Sequence, residues 1–584
     1  MAGSDKEHRG LFPPFDRRFF ESDATFTRVG TGVLGGKAEG LAFVHAEVIS
    51  LLSGGCPNGV EVSVPRMMVI ASDMFDAFMQ RNRLEESAAD GAPDERVAHA
   101  FMQGELPAEM LGDLQALVES VRSPLAVRSS SLLEDALAHP FAGVYGTKMI
   151  PNHQPAASDR FAKLTEAVKF VYASTYFSAA KAYRQGLRIP EGQEKMAVIV
   201  QEVIGERHGS RFYPEVSGVA RSYSYYPLPG ARSEEGMVSL ALGLGKTVVD
   251  GGTCWTYTPS RPSAPPPVGS GRALLDATQT NFWAVNMGAA PYDPARETEY
   301  LFQPSLQEAE GDGTLLHLAS TYDAVSDRVR PGIGRPGPRV LNFGPMLELS
   351  TIPLNDCVRA MLACSRERLG CEVEVEFAAC LAGRRRETTK LGFLQLRPMA
   401  SPGSYVTVDV EDLWGDEVLL ASERCLGNAV VSDIRDVVYV KPGSFDAGKT
   451  GRIAQEVGAM NRALLAEGRK YVLIGFGRWG TSDPWLGIPV EWGQISGAGV
   501  LVEAALDTMQ PEMSQGSHFF HNLVSTHTLF FSVPLGAGPQ VDWQWLKRQE
   551  VVRESDHVRH VRAATPLSAH VDGRSGRGVV MHHG

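Results

Sequence analysis

The sequence predicts a mixed α/β or α+β protein made of two units that meet close to residue 400. At 584 residues the chain is too long for a single hydrophobic core. Short apolar runs alternate with segments of helical periodicity, which is typical of folds that mix helix and sheet. The segment MASPGSY (399–405) combines Pro, Gly and Ser and follows a strand-like run, so it favours a domain boundary. We therefore expect a polar segment at 1–22, a first unit at 23–400 and a smaller α/β unit at 405–584.

The elements of both units can be followed in order along the chain. In the first unit two Pro- and Gly-rich loops, 260–271 and 330–340, interrupt the alternation, and we expect both at the surface. The second unit has the strand-like runs SYVTVDV, DVVYVK, KYVLIGF, GVLVEAAL and HTLFFSV. Apolar residues at helical spacing in GKTGRIAQEVGAMNRALLAEG predict a helix between the second and third runs.

The composition predicts a globular cytoplasmic protein. Hydrophobic residues make up 43% of the chain, and the longest apolar runs are far below the roughly 18 residues that span a bilayer. The N-terminus MAGSDKEHRG has no apolar core of a secretory signal. A formal net charge of −12 argues against nucleic acid as a partner, because its phosphates attract basic surfaces. We expect neither a membrane nor a nucleic-acid partner, and the sequence does not predict the oligomeric state.

Three of the seven cysteines lie seven residues apart in a segment that reads as a helix. Cys357, Cys364 and Cys371 would share one face, but steps of about 10 Å along the axis are too long for a common metal. We expect small buried core residues in a reducing compartment.

A first glycine-rich motif, VGTGVLGGKAEGLAF (29–43), places Lys37 at the start of a helical stretch. Helix N-terminal amides together with an ammonium group suit a phosphate. The spacing matches neither the P-loop nor a dinucleotide-binding fingerprint, so a plain turn with a surface lysine is the alternative.

A second motif, PLAVRSSSLLEDALAHPFAGVYGTKM (124–149), brings Arg128 into a serine cluster. A small loop with Gly143 and Thr147 follows, and such a loop can close over a polyphosphate that an arginine holds. The alternative is an arginine buried against Glu134 or Asp135.

These motifs resemble the nucleotide-binding part of the phosphoenolpyruvate synthase and pyruvate phosphate dikinase family. A-V-R-S-S, E-D and F-A-G-x-x-x-T resemble its phosphate-binding region, and G-G-K-A-E-G-L resembles its N-terminal G-G-K-G-x-N-L. The resemblance covers roughly residues 28–400. It implies a two-lobed ATP-grasp module, with subdomains divided near residue 210, that binds ATP and Mg²⁺.

Later segments continue the resemblance. MAVIVQEVIGE (196–206) contains Gln201, Glu202 and Val203, where the family contacts the adenine, and a strand edge with a backbone donor and acceptor suits that base. SGVARSY and ALGLGKTVVDGG resemble the family's S-G-V and G-L-G-E segments, with Lys246 where the family usually has Glu.

The segments EVEFA (374–378) and FLQLRPM (393–399) resemble the family's I-E-W-A and I-L-Q-x-R-P. Mg²⁺ prefers oxygen ligands, of which the protein usually supplies one or two. Glu376 and Gln395 on neighbouring strands can supply them, and Arg397 on the same face as Gln395 can bind a phosphate. The alternative for Glu376 is a cross-strand salt bridge with Arg397.

We do not expect the C-terminal unit to contain the other parts of the full-length family enzymes, which are a swivelling domain with a phosphohistidine and a barrel that interconverts pyruvate and phosphoenolpyruvate. Its roughly 185 residues are fewer than the ~250 of a (β/α)₈ barrel, so we do not expect the pyruvate half-reaction in this polypeptide. The family's phosphohistidine signature, T-x-x-G-G-x-x-S-H-x-A, is not found. The nearest segment, MSQGSHFFHNL (513–523), offers His518 near a possible helix start, with His521 on the same face; both can equally be ordinary partly buried histidines.

A second C-terminal segment, KYVLIGFGRWGTSDPWLGIPVEWGQIS (470–496), follows a buried-looking strand. Ligands of α/β sheets bind at the carboxyl ends of strands. There Arg478 can hold an anion, Trp479 or Trp485 can stack on a ring, and Asp483 can act as a base. A Trp-plugged structural loop is an equal alternative.

The resemblance implies an ATP-dependent phosphotransferase that cleaves ATP to AMP, with ATP and Mg²⁺ as cofactors. Lys37, Arg128 and Arg397 would hold phosphates. The phosphoryl acceptor would be His518, a small molecule bound by the C-terminal unit, or another protein. The alternatives are a non-catalytic module in which ATP controls a partner, favoured by the altered Lys246 and the missing signature, and an ATP-grasp ligase that would yield ADP.

Overall fold

The structure is a computed structural model. It describes residues 8–84, 92–131, 134, 144–186, 194–224, 227–228, 231–264, 270–383, 386–399, 406–481, 483, 485–507, 509, 523, 528–536, 538–573 and 575–582. Helices and strands alternate in both units, which confirms the predicted mixed class.

The first lobe is built on a five-stranded sheet. Its strands are, in spatial order, Phe26–Val29, Met67–Ile70, Met196–Glu202, Leu125–Ser131 and Thr147–Ile150. The first pair is parallel and the others are antiparallel. Its helices are Gly36–Phe43, Ile49–Gly55, Ser72–Asn82, Asp94–Gln103, Ala108–Ser120, Ala157–Ser174 and Ser178–Gly186. The nearly continuous apolar run MAVIVQE forms the central strand, because that position is covered on both faces.

The second lobe contains three sheets. The six-stranded sheet runs Trp255–Tyr257, Met237–Ala241, Val216–Arg221, Val373–Cys380, Thr389–Pro398 and Val60–Ser63. A four-stranded sheet runs Leu301–Phe302, Ala284–Asn286, Arg211–Tyr213 and Glu206–His208, and a three-stranded sheet runs Arg328–Pro331, Ser320–Asp323 and Arg339–Val340. The helices are Lys246–Val249, Gly271–Asp276, Leu306–Asp312, Gly344–Leu347 and Leu354–Leu369.

One strand crosses between the lobes. Val60–Ser63 precedes residue 210 in sequence, yet it pairs in parallel with Thr389–Pro398 at the edge of the six-stranded sheet. The lobes are therefore interleaved in sequence, and a single cut near residue 210 does not separate their strands.

The C-terminal unit is built on a nine-stranded sheet. Its strands run Val418–Ser422, Arg577–His582, Val558–Asp572, Ala429–Val440, Tyr471–Phe476, Ala498–Ala504, Leu529–Val533 and Cys425–Leu426, with Glu550–Glu554 beside Val558–Asp572. Arg478–Trp479 and Gly487–Ile488 form a small two-stranded sheet, and the α-helices whose bounds lie within the described residues are Thr450–Ala466 and Trp543–Arg548. Four of the five predicted strands and the predicted helix are present.

The exception is SYVTVDV, whose described part, 406–410, forms no strand. Side chains take the place of a strand partner there: Val406 N–H donates to Asn428 Oδ1 at 3.3 Å and Asp409 N–H to Asp412 Oδ2 at 2.8 Å. Val408 is buried in a small separate core, so the apolar residues of this run pack without a ladder.

The two units have separate cores that one side chain connects. One apolar core is shared by the two lobes, a second lies in the first lobe and a third lies in the C-terminal unit. Trp492 packs against both the first-lobe core and the C-terminal core. None of the described helices is long and apolar enough to cross a lipid bilayer.

The cysteine prediction is wrong for Cys357. This residue is buried, as expected, but it forms a disulfide with Cys56, 301 residues away in sequence. The bond joins the end of helix Ile49–Gly55 to helix Leu354–Leu369. Cys364 and Cys371 are free thiols. Spacing along one helix could not predict a partner from a distant segment.

Candidate active site

A cavity of about 240 Å³ lies between the two lobes. Eight of the residues predicted from sequence line it: Lys37, Arg128, Thr147, Gln201, Glu202, Val203, Glu376 and Arg397. Gln395 is buried next to the cavity and bonds to Arg128. Gly143 and His518 lie outside the described residues, as does His521.

Lys37 is a buried residue of the cavity wall rather than a surface lysine. Gly35, two residues before Lys37, has a φ of 82° and packs so tightly that a Cβ there would lie 1.7 Å from the carbonyl oxygen of Ser130, so this position requires glycine. This approach seats helix Gly36–Phe43 on the strand that carries Ser130. Lys37 Nζ lies 2.8 Å from Glu134 Oε1 and 3.3 Å from Ser129 Oγ. The close packing at Gly35 thus places the ammonium group of Lys37 in the cavity wall, where the carboxylate of Glu134 partly neutralises its charge.

Arg128 spans the two lobes. Its Nη2 donates to Gln395 Oε1 at 2.9 Å and its Nη1 to the carbonyl oxygen of Leu394 at 3.2 Å. The carboxylate of Glu376 lies 3.8 Å from Nη2. Glu134 bonds to Lys37 instead, so the alternative of Arg128 buried against Glu134 is wrong; Asp135 lies outside the described residues.

The strands Val373–Cys380 and Thr389–Pro398 place a charged network at the cavity floor. Glu376 is the register partner of Gln395, and Glu374 is the partner of Arg397. Arg397 Nη1 lies 3.2 Å from Glu376 Oε1 and 3.4 Å from Glu374 Oε1. Arg221 Nε donates to the other oxygen of Glu374 at 2.7 Å. The salt bridge considered as the alternative for Glu376 is therefore present.

The same carboxylate nevertheless fits a shared metal ion. Glu376 Oε1 is buried and accepts no hydrogen bond, although Arg397 lies within ion-pair distance. Within the described part of the chain, no group of three or more His, Cys, Asp or Glu side chains is arranged to hold a metal by itself. Mg²⁺ commonly takes one or two protein oxygens and the rest from phosphates and water. The chemistry of Glu376 and Gln395 suits such a shared site.

The strand expected at the adenine has a different environment from the one predicted. Met196–Glu202 lies in the middle of its sheet, and its backbone is not a free edge. The N–H of Glu202 donates to the carbonyl oxygen of Arg66 at 3.2 Å, and that of Val203 to Pro124 at 2.9 Å. The expectation that this edge presents a backbone donor is wrong for these two amides.

Apolar side chains complete that end of the cavity. Four lining residues belong to one apolar cluster at the junction of the lobes: Met149, Val203, Leu244 and Leu301. A flat aromatic base can be held there mainly by burial of its faces.

Three charged residues of the second lobe also line the cavity and were not predicted as site residues. Lys246 Nζ lies 2.8 Å from Asp250 Oδ2 and 3.5 Å from Glu297 Oε1. Burial opposes the charge of Lys246, but the two carboxylates outweigh it and raise the pKa of the ammonium. Burial raises the pKa of Glu297. The motif pointed to Lys246, but no pattern in the sequence connected it with Glu297.

The segment after strand Tyr471–Phe476 is mainly a structural loop. Trp479 is buried, its indole N–H donates to the carbonyl oxygen of Val502 at 3.0 Å, and a Cβ on Gly475 would lie 2.2 Å from its ring. This supports the Trp-plugged alternative. Trp485 is exposed, and Asp483 Oδ1 accepts from its N–H. Arg478 Nη1 donates to the carbonyl oxygen of Gly251 at 3.1 Å, so this loop touches the second lobe beside Asp250.

Comparison with known proteins agrees with this geometry. The family described as pyruvate phosphate dikinase, AMP/ATP-binding domain, matches residues 31–404. A phosphoenolpyruvate synthase of Aeropyrum pernix is 25% identical over 240 residues, which are 38% of this chain and 26% of the relative. YvkC, an uncharacterized phosphotransferase of Bacillus subtilis, is 29% identical over 208 residues, 35% of this chain and 21% of the relative. These matches span about a quarter of the length of each relative.

Proposed function

Since the chain belongs to the family of pyruvate phosphate dikinase AMP/ATP-binding domains, we propose that it is an ATP-dependent phosphotransferase. ATP and Mg²⁺ bind in the cavity between the lobes, and ATP is cleaved to AMP. The observation that carries this proposal is the convergence of eight predicted residues, from segments far apart in sequence, on that single cavity.

The positions of the charged side chains support the roles that we propose for them. Lys37, Arg128 and Arg397 neutralise and orient the phosphates, as phosphoryl transfer requires mainly positioning and charge stabilisation. Glu376 and Gln395 hold Mg²⁺, which when bound supplies further neutralisation of phosphate charge. The apolar cluster around Met149 and Leu244 holds the base.

Formation of AMP defines the bonds that change. The acceptor attacks the β-phosphorus, the bond between that phosphorus and the oxygen bridging to the α-phosphate breaks, and AMP leaves with the electron pair. The acceptor then carries two phosphates, and one water releases the terminal one as inorganic phosphate. The acceptor is His518, a small molecule bound by the C-terminal unit, or another protein.

A non-catalytic module that responds to ATP is the second candidate. It is favoured by the contact of Arg478 with Gly251 and by the packing of Trp492 against both cores, because these link the C-terminal unit to both lobes. In that case closure of the lobes on ATP would be passed to the C-terminal unit without turnover.

The test is incubation of the purified chain with ATP and Mg²⁺, with ATP, ADP and AMP resolved by chromatography. Arg128→Ala should lower AMP formation by about 100-fold or more, since it removes phosphate donors. Arg339→Ala is a matched control: both arginines have 15% side-chain exposure, an ion pair to a glutamate and a bond to a backbone carbonyl, but Arg339 does not line the cavity.

The products separate the candidates. AMP that disappears in Arg128→Ala and persists in Arg339→Ala supports the proposal. ADP would indicate a kinase or a ligase instead. Tight ATP binding without either product would favour the regulatory module, and a chain that does not bind ATP at all contradicts both.

A further inference from the structure

We propose that Lys246 binds the phosphate chain of the nucleotide from the second lobe, by exchanging its carboxylate partners for phosphate oxygens. The inference rests on the proposed function, since it requires that the cavity takes a nucleoside polyphosphate. It gives a role to a cation that the predicted phosphate set of Lys37, Arg128 and Arg397 does not include.

The position of Lys246 is fixed by the sheet beneath it. Ser217 Oγ donates to the carbonyl oxygen of Gly243 at 2.6 Å, which ties the loop that precedes Lys246 to the six-stranded sheet. Ser217 is the register partner of Ala378, and Ala378 lies two residues along the strand from Glu376, on the same face. Lys246 therefore enters the cavity one strand away from the carboxylate proposed to hold Mg²⁺.

The ion pairs of Lys246 are more exposed to solvent than those of Lys37 and Arg397. Lys37 is paired with Glu134, and Arg397 with Glu374, in contacts where both side chains are almost fully buried. The side chain of Lys246 is 22% exposed, and its partners Asp250 and Glu297 are 36% and 40% exposed. Solvent reaches these partly exposed ion pairs, so breaking them costs less free energy than breaking the almost fully buried pairs of Lys37 and Arg397.

The chemistry of the ammonium group suits the exchange. Lysine is a compact charge on a flexible stem, so Nζ can move while its backbone stays in place. A polyphosphate carries more negative charge than either carboxylate. A contact from the second lobe would also complement Arg128, which belongs to the first lobe, so that a bound phosphate chain joins the two lobes.

The experiment compares adenosine, AMP, ADP and ATP by calorimetry at fixed Mg²⁺, with wild type, Lys246→Met, Lys246→Arg and a control. The control is Lys441→Met, because Lys441 also has 22% side-chain exposure and pairs with a glutamate of 39% exposure, but it lies in the C-terminal unit. We expect Lys246→Met to weaken binding of ATP by roughly 10- to 100-fold, as for loss of a charge-assisted hydrogen bond, and adenosine binding to stay unchanged. Lys246→Arg should recover most of the ATP affinity, and Lys441→Met should match wild type.

The outcomes separate this inference from the proposed function. If wild type binds ATP and Lys246→Met binds all four ligands as tightly, Lys246 holds no phosphate and the inference is wrong. Equal weakening of adenosine and ATP also contradicts it, since the substitution would then have changed the cavity in general. A wild-type chain that binds none of the four ligands overturns the proposed function and this inference with it.

Discussion

The C-terminal unit and the cavity between the lobes each bury a carboxylate among arginines, but the two carboxylates differ in the hydrogen bonds that they accept. In the C-terminal unit, Asp436 accepts from His560 Nε2 at 2.8 Å, Arg562 Nε at 2.9 Å and Arg469 Nε at 2.7 Å. In the cavity, Glu376 has arginines nearby, but its buried Oε1 accepts no hydrogen bond. Asp436 accepts hydrogen bonds from all three neighbouring side chains, whereas Glu376 keeps one oxygen without a donor and lines the cavity.

This difference agrees with the proposal that Asp436 stabilises the fold and that Glu376 holds a ligand. Burial disfavours the ionised form of Asp436, but its three donors outweigh burial and lower the pKa to about 2. A buried oxygen without a donor is costly, and a bound ion is one of the partners that can remove this cost. We expect substitution of Glu376 to lower activity with little change in stability, and substitution of Asp436 to lower stability with little change in ATP binding.

The largest expected effect is that of Glu376→Gln on turnover. Loss of the carboxylate should lower Mg²⁺-dependent ATP cleavage by about 100-fold or more, because even residues that only orient metal ligands contribute 10- to 100-fold. Its free energy of unfolding should change by less than about 1 kcal/mol, since Arg397 keeps Glu374 and Arg128 keeps Gln395. Product analysis and urea unfolding measure both quantities. A large loss of stability with normal turnover would make Glu376 a structural residue.

The second largest effect is that of Asp436→Asn, which should lower stability and leave ATP binding unchanged. Removing this charge leaves two buried or half-buried arginines without their shared anion, so we expect a loss of about 3 kcal/mol in the free energy of unfolding. The affinity for ATP should change by less than about 2-fold, because distant sites without shared partners are nearly independent. Stability unchanged from wild type would show that Asp436 contributes nothing to the fold.

The pH dependence gives a sharper check on Asp436. Its pKa is lowered in the folded state from an ordinary 3.8 to about 2, so its contribution is fully present above that ordinary value. It is lost as pH falls towards the folded pKa, and the loss amounts to about 2 kcal/mol. The stability difference between wild type and Asp436→Asn should therefore be constant above about pH 5 and shrink between about pH 4 and pH 2. Urea unfolding at several pH values measures it, and a difference independent of pH would contradict the assignment.

The smallest effect tests whether the two regions communicate. Arg478→Gln removes the donor to the carbonyl oxygen of Gly251, next to the residues that line the cavity. We expect ATP to bind about 2- to 10-fold more weakly, as for loss of one hydrogen bond that positions a loop. Calorimetry measures the affinity.

The matched control for Arg478 lies in the same segment. Trp485 is exposed, so Trp485→Ala should leave ATP affinity unchanged. If both variants bind ATP as wild type does, the contact between the C-terminal unit and the second lobe has no influence on the cavity.

The fold was largely predictable where local patterns are strong. The apolar runs at Tyr471–Phe476 and Leu529–Val533 and the periodic segment at Thr450–Ala466 form the expected strands and helix. SYVTVDV alternates apolar and polar residues as a strand would, yet its described residues have side-chain acceptors in place of a neighbouring strand. Composition reports the tendency of a segment, whereas a strand also requires a partner.

The residues of the cavity were predictable where they belong to a motif. Lys37, Arg128, Glu376 and Arg397 were identified from their motifs, and the structure brings them to one cavity. The partners of Lys246 were missed, because Glu297 belongs to no motif and approaches only through folding of the second lobe. The disulfide of Cys56 with Cys357 was missed for the same reason.

The sequence by itself determined the mixed fold class, the family and eight of the residues that line the cavity, because these depend on residue types at short spacings. Only the tertiary structure decided which polar groups pair: Glu134 forms an ion pair with Lys37, and Arg128 donates a hydrogen bond across to Gln395. It also decided that Trp479 fills a core and that Arg478 touches the second lobe. Ion pairs and packing act over a few ångströms in space, whatever the separation along the chain, so no local pattern contains them.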